Sequence, residues 1–262
     1  VEPNEVLTGR MRQRTLAALN SFAKRVGEEC ANPNKFAVAL SGGPDSTALA
    51  HIFVQWHGLN QSVGETFVKQ LPKCIIVNHN LRRESEREAE MVVERARAMG
   101  LEPILCSLDL KGERISQQQA RHGRLRALFE ACVREGVKTV LTGHTANDQI
   151  ETFILRTMRA SGIRGLAGIP PVSTLSENNS SLLPSKAAQV KIKTIFDWQA
   201  DDAISSEAPL PKNGEEVYTF RPFLVGGIEK RSAIHYCSTH GLDFVLDPSN
   251  QNMNYTRNAI RH

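Results

Sequence analysis

The chain has 262 residues, enough for one sizeable α/β core or for a core with a small appendage. It is 40% hydrophobic and 23% charged, as ordinary soluble globular proteins are, and no apolar run approaches the ~20 residues of a membrane-spanning helix. The formal net charge of +4 is compatible with a nucleic-acid partner but too small to argue for one by itself.

Five cysteines, Cys30, Cys74, Cys106, Cys132 and Cys237, are scattered and odd in number. That pattern argues against a disulfide framework or a cysteine zinc site, and for a reducing compartment. The first residue is Val, so an upstream segment is expected. Arg10 to Val26 is basic and amphipathic, with Leu16, Leu19, Phe22, Ala23 and Val26 along one side. It reads as the first helix of the domain, leading to a strand through Asn32-Pro33-Asn34. An organellar transit peptide is the competing reading. The expected location is therefore cytoplasmic, with the mitochondrial matrix or plastid stroma as the alternative.

Phe36-Ala37-Val38-Ala39-Leu40 is an apolar run that stops at Ser41-Gly42-Gly43-Pro44-Asp45-Ser46-Thr47. Ala48, Leu49, Ile52, Phe53 and Trp56 follow at helical spacing, which predicts a buried strand, a tight turn and a helix start. Glycines let consecutive N–H groups converge on one anion, and the helix N-terminus adds a positive partial charge. The loop suits a phosphate, yet it lacks the Gly-Lys-Ser/Thr ending of a Walker loop. Asp45 beside phosphates would repel them unless a Mg²⁺ were bound between. The bland alternative is that Ser41 or Asp45 merely caps the helix.

Cys74-Ile75-Ile76-Val77 reads as a second buried strand, ending at Asn78-His79-Asn80-Leu81-Arg82-Arg83, where nucleotide contacts are expected on an open parallel sheet. A helix over Glu84 to Met99 stops at Gly100. Pro103 to Leu110 gives a third strand and Ser116 to Arg134 a helix whose other side carries Arg121, Arg124 and Arg126. These arginines are either a solvated face or a substrate contact. Thr139 to Gly143 is the fourth strand, followed by His144-Thr145-Ala146-Asn147-Asp148-Gln149 and a helix from Ile150 to Met158. Strands alternating with helices in this way predict an α/β fold, a doubly wound open parallel sheet with flanking helices. The reading is one domain over 1–262, with a weakly ordered surface insertion at about 172–217 and a C-terminal helical extension at about 226–262. Within that extension a helix is expected from Ile228 to His240, closed by Gly241.

The string Ser41 to Ser46 after a strand resembles the signature of the PP-loop ATP pyrophosphatases. Four further pieces narrow the resemblance: Asn78 to Arg82 with Glu84-Ser85; His144 through Thr152; Arg159 to Gly168; and the series Arg221-Pro222-Phe223-Leu224, Asp247-Pro248-Ser249-Asn250, Arg257 to His262. Together the pieces look like the N-terminal catalytic domain of the tRNA(Ile)-lysidine synthetase family, over nearly the whole chain outside the insertion. The resemblance implies a ligase that adenylates the wobble cytidine of an isoleucine tRNA with a CAU anticodon, then joins L-lysine and releases AMP and pyrophosphate. ATP and Mg²⁺ are the implied cofactors, and a homodimer is left open. By position, Ser41, Gly42, Gly43, Pro44, Asp45 and Ser46 would hold the phosphates, with Asp45 also on the metal. His79 and Arg82 would lie at the nucleotide edge. Asp45, His144, Asp148 and Glu151 would serve the reacting centre, with a helix cap as the competing role for Asp148. Arg121, Arg124, Arg159, Arg164, Arg257 and Arg261 would contact tRNA.

The chain departs from the family string His-His-Ala-Asp-Asp-Gln at Thr145 and Asn147, and Asn80 stands where glycine is common. Family members commonly continue into tRNA-binding domains beyond the point where this chain stops. A PP-loop tRNA thiolase is the nearest rival, although no C-x-x-C occurs. A non-catalytic tRNA- or nucleotide-binding homologue is the rival from another class.

Overall fold

The computed structural model describes residues 3–26, 31–60, 70–78, 85–110, 117–162, 166–176, 188–194 and 216–245. The run Phe36–Ala39 forms β1 at the centre of the sheet. Its residues alternate between two cores: Phe36 and Val38 face one, Ala37 the other. Such two-sided burial is what a continuous apolar strand without polar alternation requires. Around it lie α1 (Pro3–Arg25), α2 (Pro44–Asn60), β2 (Lys73–Asn78), α3 (Ser85–Ala98), β3 (Glu102–Leu110), α4 (Gln117–Arg134), β4 (Thr139–Leu141) and α5 (Ala146–Met158). Then come β5 (Val172–Ser176), β6 (Ala188–Thr194), β7 (Glu216–Phe220), the short α6 (Pro222–Val225) and α7 (Lys230–Thr239).

Among the described residues the sheet has seven strands, in the order β5-β7-β4-β1-β2-β3-β6. The inner five are mutually parallel, with Val38 opposite Cys74 on one side and Leu141 on the other. One face is covered by α1, α2, α3 and α7, through Leu19, Phe22, Leu49, Phe53, Trp56, Val92, Val93 and Tyr236. The other is covered by α4, through Ala127, Leu128, Phe129, Ala131 and Cys132. Helices on both faces of a parallel sheet are the doubly wound architecture expected from the alternation of strands and helices.

The outer strands differ from the expectation. β5 and β6 pair antiparallel to β7 and β3, closing both edges of the sheet. Both come from the stretch read as a weakly ordered insertion, whose residues 177–187 and 195–215 lie outside the described ones. Averaged over that stretch, composition is dominated by Ser, Asn and acidic residues, which conceals the short period-two pattern of Ala188–Thr194. An edge strand needs hydrogen bonds on one side only, so a weak local signal suffices once a partner is present.

Helix α1 belongs to the core. Met11, Leu19 and Phe22 are buried, and Phe22 stacks on Phe220 with ring centroids 4.1 Å apart. That packing favours the domain-helix reading of this segment over the transit-peptide one. No described helix is long and apolar enough to cross a membrane. Gly100 and Gly241 adopt φ of 83° and 62° where α3 and α7 stop, as their positions implied. Buried surroundings push the Cys106 thiol up to about 12 and raise Cys74 and Cys132 as well, as expected of cysteines that serve packing.

Helix α7 rests on α2 through a polar contact, His51 Nδ1 lying 3.0 Å from the Tyr236 hydroxyl. The His240 ring stacks on Tyr236 and lies 5.3 Å from His51. Burial, then the charges of His240 and Arg12, hold the His51 pKa below its ordinary 6.5. A depressed histidine binds its proton more readily in the unfolded chain, so stability is complete above about pH 6.5 and falls as pH drops through that value towards the folded one. Unfolding midpoints measured at about pH 5 and about pH 7.5 should therefore differ, with the acid sample less stable, and His51→Gln should shrink the difference. An equal difference in the variant would show that other groups carry it.

Candidate functional site

The turn after β1 is closed by one side chain. Ser46 Oγ donates to Gly43 O at 3.0 Å, accepts the Ser41 N–H at 3.2 Å, and lies 3.1 Å from Ser41 Oγ. One donor and two acceptor sites use the full capacity of a hydroxyl. Pro44 opens α2, where a missing N–H costs nothing, and Thr47 N–H makes the first helical bond to Gly43 O at 3.0 Å. The first turn of a helix carries N–H groups with no intrahelical acceptor, which is what an anion needs. Gly42 has φ 79°, and a Cβ there would meet Val92 Cγ2 at 2.6 Å. Its carbonyl accepts the Val245 N–H at 2.8 Å. Asp45 lies in the first turn of α2 with its Oδ1 atom buried.

The end of β4 comes directly against this turn. A Cβ on Gly143 would lie 3.0 Å from both C and O of Asp45 and 3.1 Å from Ser46 N. Only glycine gives that approach without displacing backbone. Because β1 and β4 are neighbours while the chain leaves them in opposite directions across the sheet, this is the switch point at which open α/β sheets bind ligands.

From Gly143 the chain enters His144, whose Nδ1 lies 3.1 Å from Thr142 Oγ1. Asp148 serves the helix start: its Oδ2 accepts the Thr145 N–H at 2.8 Å and the Thr145 hydroxyl at 3.1 Å. This cap explains why α5 begins at Ala146, four residues before the expected Ile150. Glu151 is the buried residue of α5. Gln149 pairs with Ile169 in both directions, at 2.6 and 2.7 Å, and Arg156 Nη1 donates to Gly168 O at 3.0 Å, so residues 166–169 are latched to α5.

The structure thus brings Ser41, Gly42, Gly43, Pro44, Asp45 and Ser46 next to the turn that carries His144 and Asp148. Arg121 and Arg124 are exposed on α4, and Arg159 is exposed at the C-cap of α5. His79, Arg82, Arg164, Arg257 and Arg261 lie outside the described residues. Two residues given no role in the sequence belong here. Gly143 is one; a glycine between a strand and a polar string is the signal that could have found it. Arg221 is the other. Its Nη1 donates to Pro170 O at 2.8 Å and to Ser173 Oγ at 3.0 Å, while Nε is buried without a hydrogen bond. Burial first, and then the Arg121 charge, hold its pKa below the ordinary value. The Arg-Pro pair at a strand end was visible, but its partners at Pro170 and Ser173 were not.

A family profile described as a PP-loop domain matches residues 11–262. Among curated relatives, a tRNA(Ile)-lysidine synthase of Wolbachia pipientis is 31% identical over 233 residues, covering 87% of this chain and 42% of the relative. The Hyphomonas neptunium enzyme of the same name is 32% identical, covering 86% and 49%, and that of Novosphingobium aromaticivorans 31%, covering 87% and 55%. The chain thus spans about half the length of these relatives. Among solved structures, the U34-tRNA thiolase NcsA from Methanococcus maripaludis superposes with a TM-score of 0.60 at 14% identity, covering 93% of this chain and 67% of its own, a likeness of fold.

Placing alanine at Gly42 combines a left-handed φ, costing about 1–2 kcal/mol, with overlap against Val92 of comparable cost. Urea unfolding of Gly42→Ala should show the sum, and Gly42→Ala/Val92→Ala should recover part of it through a favourable coupling of about 1 kcal/mol. Simple additivity of the two losses would mean that the overlap does not exist.

Proposed function

The chain belongs to the PP-loop domain family, and on that footing we propose that it uses ATP to modify tRNA, adenylating the wobble cytidine of an isoleucine tRNA with a CAU anticodon and joining L-lysine to it. The observation that carries the reading is the contact of the Ser41–Ser46 turn with Gly143, which sets a phosphate cradle beside a string of imidazole and carboxylate groups. The name shared by the three relatives supports the choice of substrate.

In this reaction the cytidine C2 oxygen attacks the α phosphorus of ATP and pyrophosphate leaves. The lysine ε-amine then attacks C2, AMP departs, and the amine releases a proton. Ser41, Gly42, Gly43, Pro44, Ser46 and the α2 N-terminus are suited to hold the departing pyrophosphate, where fixed N–H dipoles stabilise developing charge. The donor set also fits a hard cation: Asp45 presents a carboxylate in the same turn, with Oδ1 shielded from solvent. Mg²⁺ held there would neutralise phosphate charge.

For the amine proton, His144 is the favoured acceptor, because Asp148 Oδ2 already takes two hydrogen bonds from Thr145. Asp148 then orients the turn, and the buried Glu151 stands one helical turn further on. Arg121 and Arg221 suit a tRNA or nucleotide phosphate, supported by the buried Nε of Arg221. Arg124 and Arg159, exposed on their helices, are proposed tRNA contacts. His79, Arg82, Arg164, Arg257 and Arg261 keep the roles that the family resemblance implies. The proposed compartment is a reducing one, in keeping with the buried thiols of Cys74, Cys106, Cys132 and Cys237.

Incubated with ATP, Mg²⁺, labelled lysine and the CAU-anticodon transcript, the chain should place label in the tRNA and form AMP in equal amount. Binding of the tRNA with neither product would instead make the chain a non-catalytic tRNA-binding homologue. Asp45→Ala should lower pyrophosphate release by at least about 10²-fold with the circular-dichroism spectrum unchanged. Release at the parental rate would remove Asp45 from the metal.

A further inference from the structure

Helix α7 touches both halves of the site although it contributes no group to either. At its start, Asn147 Oδ1 accepts the Lys230 N–H at 2.9 Å, and Ala146 N–H donates to Ile228 O at 2.8 Å. The N-cap residue of α7, Glu229, offers no side-chain cap, so the carboxamide of Asn147 supplies the acceptor that the helix start lacks. Two turns on, Cys237 Sγ donates to Pro44 O at 3.4 Å, and Asp45 adds to the burial that pushes this thiol up to about 12. Just beyond α7, the Val245 N–H donates to Gly42 O at 2.8 Å.

From this we infer that Asn147 is a positioning residue: through α7 it fixes the distance between the phosphate turn and the turn bearing His144. The helix acts as a strut, pinned to α5 at one end and to the Gly42–Pro44 backbone further along. Its middle is anchored by Ala233, Tyr236 and Cys237, all buried against the same core as α2. A carboxylate at position 147 would keep the acceptor oxygen and would be favoured at a helix N-terminus, so asparagine retains the contact that aspartate could make and drops only the charge. The two residues are 83 apart in sequence and joined by a single side-chain hydrogen bond.

This inference rests on the proposed site, but its first test does not require the reaction. Amide hydrogen exchange is measured on the intact chain, the Asn147→Ala variant and the Asn147→Asp variant. Loss of the acceptor should speed exchange about five- to tenfold at Lys230, and also at Ser41, Thr47 and Val245, whose N–H groups are bonded within or onto the phosphate turn. Asn147→Asp should restore protection at all four. Faster exchange confined to the first turn of α7, or an aspartate variant as loose as the alanine one, overturns the inference. Should Asn147→Ala not yield folded protein, Asn147→Ser, whose hydroxyl is shorter, provides the same comparison. On the same proteins, with the CAU-anticodon transcript present, ATP–pyrophosphate exchange should show turnover reduced about tenfold in Asn147→Ala, the KM for ATP within about twofold of the parent, and recovery in Asn147→Asp. Unchanged turnover in the alanine variant also counts against it. A parent chain that supports no pyrophosphate exchange would sink the proposed function, while the hydrogen-exchange comparison would still decide the role of Asn147.

Discussion

The hydroxyl of Ser46 closes the turn on which the site depends. It reaches across the turn to Ser41 N–H and Gly43 O at once, so the backbone leaves β1, reverses and starts α2 within six residues. With that bond in place, the N-terminus of α2 is held against the turn, Thr47 N–H bonding the same Gly43 oxygen. A phosphate cradle needs this, because its N–H groups must be rigid before the anion arrives. The neighbours respect the same geometry. Val92 occupies the space above Gly42, and Asp45 backbone occupies the space beside Gly143.

The site is a product of strand order. β1 and β4 are separated in sequence by two further strands and three helices, yet they pair directly, Ala37 opposite Val140. The chain passes from β1 to β2 on one side and returns to β4 on the other, so the two turns meet at the same end of the sheet. β7 extends the arrangement, pairing its Phe220 with Leu141 and so carrying Arg221 to the same edge. The antiparallel strands β5 and β6 form the two outer edges of the sheet. The structural likeness to a tRNA thiolase at 14% identity lies in this architecture, whereas the relatives at 31–32% identity share residues as well.

The departures at Thr145 and Asn147 have a physical account. Thr145 begins α5 and gives both its N–H and its hydroxyl to Asp148, a local use for a residue in an otherwise charged string. Asn147 gives its oxygen to another helix. Both positions thereby work on the placement of the turn, and His144 follows directly on Gly143. Asp148 is used here as a cap, its Oδ2 taking both bonds from Thr145.

What the sequence determined by itself was local. The apolar run at 36–40, the glycines at 42 and 43 and the helical spacing after Pro44 act between residues a few positions apart, so strand, turn and helix were legible together. The stops at Gly100 and Gly241 were legible for the same reason. The alternation of strands and helices implied the parallel, doubly wound centre, since few other layer arrangements bury such elements. The tertiary structure alone decided what depends on distant partners: the antiparallel edges, whose strands form only against a neighbour; the closeness of Gly143 to Asp45, which is a matter of two backbones meeting; the hold of Arg221 on Pro170 and Ser173; and the reach of Asn147 to Lys230. Each of these is fixed by packing across the sheet, and no window of sequence contains both sides of such a contact.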